Sequence, residues 1–146
     1  MAGSSEVAQR VREPNAGMAS YSATDPGAVV LAYLRAVDQK DWERVATFLH
    51  PELDFTMPGR KLNKTDFLSS LSKLGPILVR NDVRRVFVDG DEVCVVYDFV
   101  TDTPVGVVPS VEWIKVQDAR IRSIWLLFDR QPWPGVLEEL ARRTER

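Results

Sequence analysis

Histidine and cysteine are almost missing: the chain has one of each, His50 and Cys94. A lone cysteine cannot close an internal disulfide, and a lone histidine cannot found a multi-histidine metal site or supply zinc with its usual ligands. A Cys-His nucleophilic pair is no better supported, because Cys94 lies in the apolar strand-like run 93–96, where buried thiols are inert. Basic runs are missing too. The 19 Lys and Arg are balanced by 21 Asp and Glu for a net charge of −2, so binding nucleic acid through phosphate neutralisation is excluded. Neither a signal-peptide-like stretch nor a run of about 18 apolar residues occurs, which predicts a cytoplasmic protein with no membrane partner. No cofactor or metal motif is present. Any chemistry must come from carboxylates and hydroxyls.

What the chain does have is a core: 45% of its 146 residues are apolar, enough for one domain to close without staples. Residues 1–24 contain no Leu, Ile, Phe or Trp and read as a flexible N-terminal tail. One domain is expected over residues 25–133, and residues 134–146 read as a terminal helix fraying into charge. Asp25-Pro26 is a helix start signal, followed by the stripe Val29, Val30, Tyr33, Leu34 and Val37. A second helix fits residues 42–50, stopped by Pro51, and a third starts near residues 63–65 and ends at Gly75-Pro76. Strands are expected at 53–57, 83–88, 92–101, 105–116 and 120–129, the last four separated by turn signals such as Asp89-Gly90. Helices first and a meander afterwards make an α+β fold.

Several strands are apolar on both faces. In 120–129, Ile124, Leu126 and Phe128 alternate with Trp125 and Leu127, yet only one face can meet the helices. A second copy of the sheet is the simplest cover for the other, predicting a homodimer through an outer face carrying Trp113, Trp125 and Leu127. The alternative is a loop or tail folded over that face.

The order of elements resembles the nuclear transport factor 2-like superfamily. The resemblance covers residues 25–133 and is carried by Val29-Val30-Leu31-Ala32-Tyr33-Leu34, Lys40-Asp41-Trp42, Leu49-His50-Pro51-Glu52-Leu53 and the closing strand from Ala119-Arg120-Ile121 to Leu127-Phe128-Asp129. It implies a cone-shaped, curved antiparallel or mixed sheet with three N-terminal helices enclosing an apolar pocket. Within the superfamily the chain resembles SnoaL-like polyketide cyclases, ketosteroid isomerases and, more distantly, limonene epoxide hydrolases. The isomerase likeness places Tyr33 at an oxyanion donor and Glu112 at a protonated acid. Asp98 stands where isomerases have an apolar pocket wall, and Met57 where they carry the general base. Of the hydrolases' Asp-Arg-Asp set only Asp98 matches; Val96 and Leu126 occupy the other two positions.

The residues' own chemistry points the same way. Asp98 interrupts the alternation of Val96 and Val100, and Glu112 shares a face with Ile114 and Val116. If both carboxyls enter one concavity, desolvation and mutual repulsion raise at least one pKa and leave one shared proton, suited to acid–base work. Tyr33 would bind the oxygen that gains charge. On the plainer reading Asp98 faces outward, Glu112 pairs Lys115 or Arg122, and Tyr33 is core. The apolar substrate contacts expected are Trp42, Phe55, Met57, Phe67, Leu71, Val96, Ile114, Leu126 and Phe128. The resulting expectation is a cofactor-independent cyclase or isomerase of polyketide-type, antibiotic biosynthesis, acting on a hydrophobic carbonyl compound. The alternatives are a non-catalytic ligand-binding or dimerisation module and, further off, an epoxide hydrolase.

Overall fold

A computed structural model describes residues 25–145; the expected tail at 1–24 lies outside the described residues. Pro26 opens helix α1 (Pro26–Asp38) at the position where a fixed φ and a missing N–H cost nothing. The helix is stopped by Lys40 in the left-handed region at φ +57°. Asp41 caps the short α2 (Trp42–Thr47) by accepting from the Arg44 N–H, and Asn63 caps α3 (Lys64–Ser72) by accepting from the Asp66 N–H. A single 3-10 turn at Gly75–Ile77 then leads into the meander.

The strands are β1 (Leu49–Met57), β2 (Arg60–Leu62), β3 (Leu78–Asp89), β4 (Glu92–Thr101), β5 (Val107–Gln117) and β6 (Arg120–Phe128). They form one open, mixed sheet in the order β2-β1-β6-β5-β4-β3. Only the β1–β6 pairing is parallel. Register shifts in the β3–β4, β5–β6 and β1–β6 pairings bend the strands, as an extra residue on one strand does, and the sheet curls around α1 and α3. The β5–β6 hairpin turns through Asp118 and Ala119, both at positive φ, as a type I′ turn demands.

The chain therefore has the expected α+β architecture, with β1 and β3 beginning at Leu49 and Leu78, before the expected 53 and 83, and with three further differences of detail. The second helix stops at Thr47 because residues 49 onward pair with β6. The three-residue β2 was not anticipated. The third difference concerns the C-terminus: α4 (Trp133–Thr144) buries Val136 completely and is anchored at its far end. There Arg143 pairs with Asp102 at 2.7 Å and donates to the Pro76 carbonyl. It closes one end of the cone. Among the described residues no helix is long and apolar enough to cross a membrane.

Candidate active site

Between the concave face of the sheet and helices α1, α3 and α4 lies a cavity of about 380 Å³, within the range of small-molecule sites. Strand register decides which side chains reach it. Across β4 and β5, Val95 faces Glu112, Tyr97 faces Ser110 and Phe99 faces Val108; across β5 and β6, Ser110 faces Phe128 and Glu112 faces Leu126. Residues directly opposite share a face, so these five pairings make one continuous concave surface.

Glu112 is the cavity's carboxylate. Only 4% of its surface is exposed, and burial lifts its carboxyl from about 4.5 to about 7, a rise held back by a hydrogen bond from the Tyr97 hydroxyl. Ser110, directly opposite Tyr97, donates its Oγ proton to the Val108 carbonyl at 3.1 Å. Tyr33 enters from α1, fully buried, and feels the Glu112 charge. Burial and that charge push both phenols well above the ordinary tyrosine range, so both remain O–H donors. At the other end of α1, Asp38 accepts from the backbone N and the Nδ2 of Asn81, each at 2.8 Å. That clamp ties α1 to β3 and puts Asn81 in the cavity wall.

Of the residues expected to act, Tyr33 and Glu112 meet in the cavity, and Phe55, Met57, Phe67, Leu71, Leu126 and Phe128 line it. Four expectations are corrected. Asp98 points to the convex face, where it lies 3.5 Å from Arg84, because Tyr97 and Phe99 take the inward positions of β4. The rise of the Glu112 pKa thus comes from desolvation, without a second carboxylate. Val96 shares the outward face of Asp98. Ile114 faces inward but is sealed in the core at 0% exposure. Trp42 packs over the 3-10 turn, where a Cβ on Gly75 would lie 3.3 Å from its Cζ2.

Tyr97 lines the cavity beside Glu112, and sequence reasoning missed it. It precedes Asp98 in a strand with apolar residues on both faces, so alternation alone did not say which of the two faced inward. Its signal was the company of Val93, Val95 and Phe99, all large and apolar. Trp133 and Leu140 of α4 were missed for a different reason: the terminal helix was expected to fray into charge, with no part in the cavity wall. Trp133 closes the wall, its ring 5.0 Å from that of Phe128 and 6.2 Å from that of Phe99. Among the described residues no three His, Cys, Asp or Glu side chains gather where they could hold a metal.

Among curated proteins none matches the chain in sequence. Solved structures do match. A protein from Kribbella flavida is 25% identical with a TM-score of 0.71, covering 86% of this chain and 100% of its own. IdmH from Streptomyces antibioticus, provisionally assigned as a polyketide cyclase, is 14% identical with a TM-score of 0.67 over 80% of this chain and 99% of its own. A second Kribbella flavida protein, provisionally assigned as a ketosteroid isomerase, is 17% identical with a TM-score of 0.61 over 70% and 76%. The architecture is the nuclear transport factor 2-like fold. With residues 30–124 matching the SnoaL-like domain, a stretch that holds most of the cavity lining, the chain belongs to the SnoaL-like domain family.

Proposed function

We propose that this chain is a cofactor-independent cyclase or isomerase that moves a proton on a hydrophobic, carbonyl-bearing small molecule of polyketide type. One observation carries the reading: a single carboxylic acid, buried in an apolar cavity, with a pKa near neutrality and two tyrosine hydroxyls beside it. A group half ionised near pH 7 is suited both to take a proton and to return it. The polyketide-cyclase and ketosteroid-isomerase assignments of two structural neighbours favour the same class.

The Glu112 carboxylate takes a proton from the carbon next to a substrate carbonyl. The C–H electron pair becomes the C=C bond of an enolate as the carbonyl π pair moves onto oxygen, and Tyr33 donates to that oxygen. Tyr97 keeps the carboxyl in place. If the proton returns at another carbon, the product is an isomer. If the enolate carbon instead attacks a second carbonyl of the same chain, a carbon–carbon bond closes a ring and Glu112–H protonates the new alkoxide. Neither route needs an oxidant. The proposal includes a cytosolic setting within a biosynthetic, antibiotic-type pathway.

Proton exchange tests this without the natural substrate. In deuterated buffer at pH 7, the protein should accelerate exchange at the acidic carbon of 2-tetralone, a compact hydrophobic ketone, and Glu112→Gln should lose about 10²-fold or more. Exchange no faster than buffer, or unchanged in the variant, would instead favour a ligand-binding module.

The homodimer belongs to the same proposal. Trp113, Trp125 and Leu127 leave 39–47% of their surfaces exposed on the convex face, and Trp113 stands directly opposite Trp125. Light scattering should give twice the 16.5 kDa chain mass and fall to the monomer in Trp125→Asp. A wild-type monomer at micromolar concentration rejects the interface.

A further inference from the structure

Three of the cavity's lining residues are exposed: Arg60, Lys73 and Leu137. They mark its mouth, and two of the three are cations. Arg60 stands in β2 and donates from Nη2 to Ser70 Oγ at 3.3 Å. Ser70, on α3, is three residues before Lys73 at that helix's C-cap, so Ser70 and Lys73 share one side of it. Arg60, Ser70 and Lys73 are thus grouped on one rim. Among the described residues neither cation is paired with a carboxylate; the ion pairs of the molecule use Arg80, Arg84, Arg142 and Arg143.

An apolar cavity needs no cations to hold an apolar ligand. Lys and Arg at a rim usually lay their stems along apolar surface and keep their heads in water, but these two line one cavity, and Arg60 is tied to Ser70 on the helix that Lys73 ends. A guanidinium that keeps N–H groups free on the same rim as an ammonium can receive an oxyanion, carboxylate or phosphate monoester. From this juxtaposition we infer that the substrate is amphipathic, its apolar, carbonyl-bearing body in the cavity and an oxyanion at the mouth held by Arg60 and Lys73. The inference rests on the cavity being the substrate site and adds what selects the substrate. It also orients the molecule: the charged end stays at the rim, so the apolar end is the one delivered to Glu112.

Calorimetric titration with three probes of one shape tests it: 1-naphthaleneacetate, 1-naphthyl phosphate and the neutral 1-naphthaleneacetamide, at pH 7 and low salt. At least one anion should bind the wild-type protein about fivefold or more tighter than the amide, the scale expected of two exposed charge contacts. Which anion wins tells whether a carboxylate or a phosphate is read. The preference should shrink to within about twofold in Arg60→Gln/Lys73→Gln and in high salt, where exposed charges are screened. Amide binding equal to both anions, or a preference indifferent to the double variant, overturns the rim inference and leaves the cavity reading standing. Binding of none of the three overturns both.

Discussion

Tyr97 lies diagonally across from Glu112 on the concave face of the β4–β5 pair, and its hydroxyl hydrogen-bonds the Glu112 carboxyl. That bond favours the ionised form, whereas burial favours the neutral one, and burial is the larger effect. Tyr97→Phe should therefore move the Glu112 midpoint further up, by about one unit, the worth of a hydrogen bond to a charged group. The pH profile of 2-tetralone exchange checks this. A downward shift in the variant would contradict the assigned role.

The same carboxyl makes stability pH-dependent. Its midpoint is raised on folding from about 4.5 to about 7, so the folded state holds its proton more tightly. The contribution is fully present below about pH 4.5, is lost as pH rises towards 7 and is flat above. The span corresponds to about 3 kcal/mol. Urea unfolding across this range should show the decline in the wild-type chain, and Glu112→Gln, which cannot ionise, should remove this part of it.

Asp98→Asn should leave proton exchange within about twofold and stability within about 0.5 kcal/mol, because its partner Arg84 is 63% exposed and such pairs contribute little. Asp98 also faces Asp82 directly across β3 and β4, a like-charge pairing that the substitution relieves. A large loss of exchange would restore Asp98 to the site.

Adjacent Tyr97 and Asp98 show where sequence reading reaches its limit. The strand at Glu92–Thr101 was readable to the residue from its β-branched and aromatic content and its flanking turns. Its facing was not, because apolar side chains occupy both sides and only the pairing with β5 decides which side curls inward. Glu112 was easier to place, because Ile114 and Val116 on its side alternate with Lys115 and Gln117, and that side is the one the structure turns inward. The parallel β1–β6 pairing escaped because it joins segments some 70 residues apart with no local signal. Arg60 and Lys73 escaped because a charge in a short strand or at a helix end is ordinary until a cavity is found behind it.

The lid helix gives a packing test. A Cβ on Gly135 would sit 2.9 Å from Val105 Cγ2, closer than side chains approach, so Gly135→Ala should push α4 outward. A cost of about 1–3 kcal/mol is expected from overpacking, partly offset by about 1 kcal/mol of helix propensity. Because Trp133, Leu137 and Leu140 ride on this helix, 1-naphthaleneacetamide should bind more weakly. Adding Val105→Ala should recover part of both losses in a double-mutant cycle; strictly additive losses would show that the contact is not the cause.

The central claim is that Glu112 is a buried acid poised near neutrality. Carbon-13 NMR titration of the side-chain carboxyls, with Glu112 identified by its disappearance in Glu112→Gln, measures this directly. The account predicts one glutamate resonance with a midpoint near 7, shifted further when 1-naphthaleneacetamide fills the cavity. A Glu112 midpoint near 4.5, indifferent to the ligand, would contradict it.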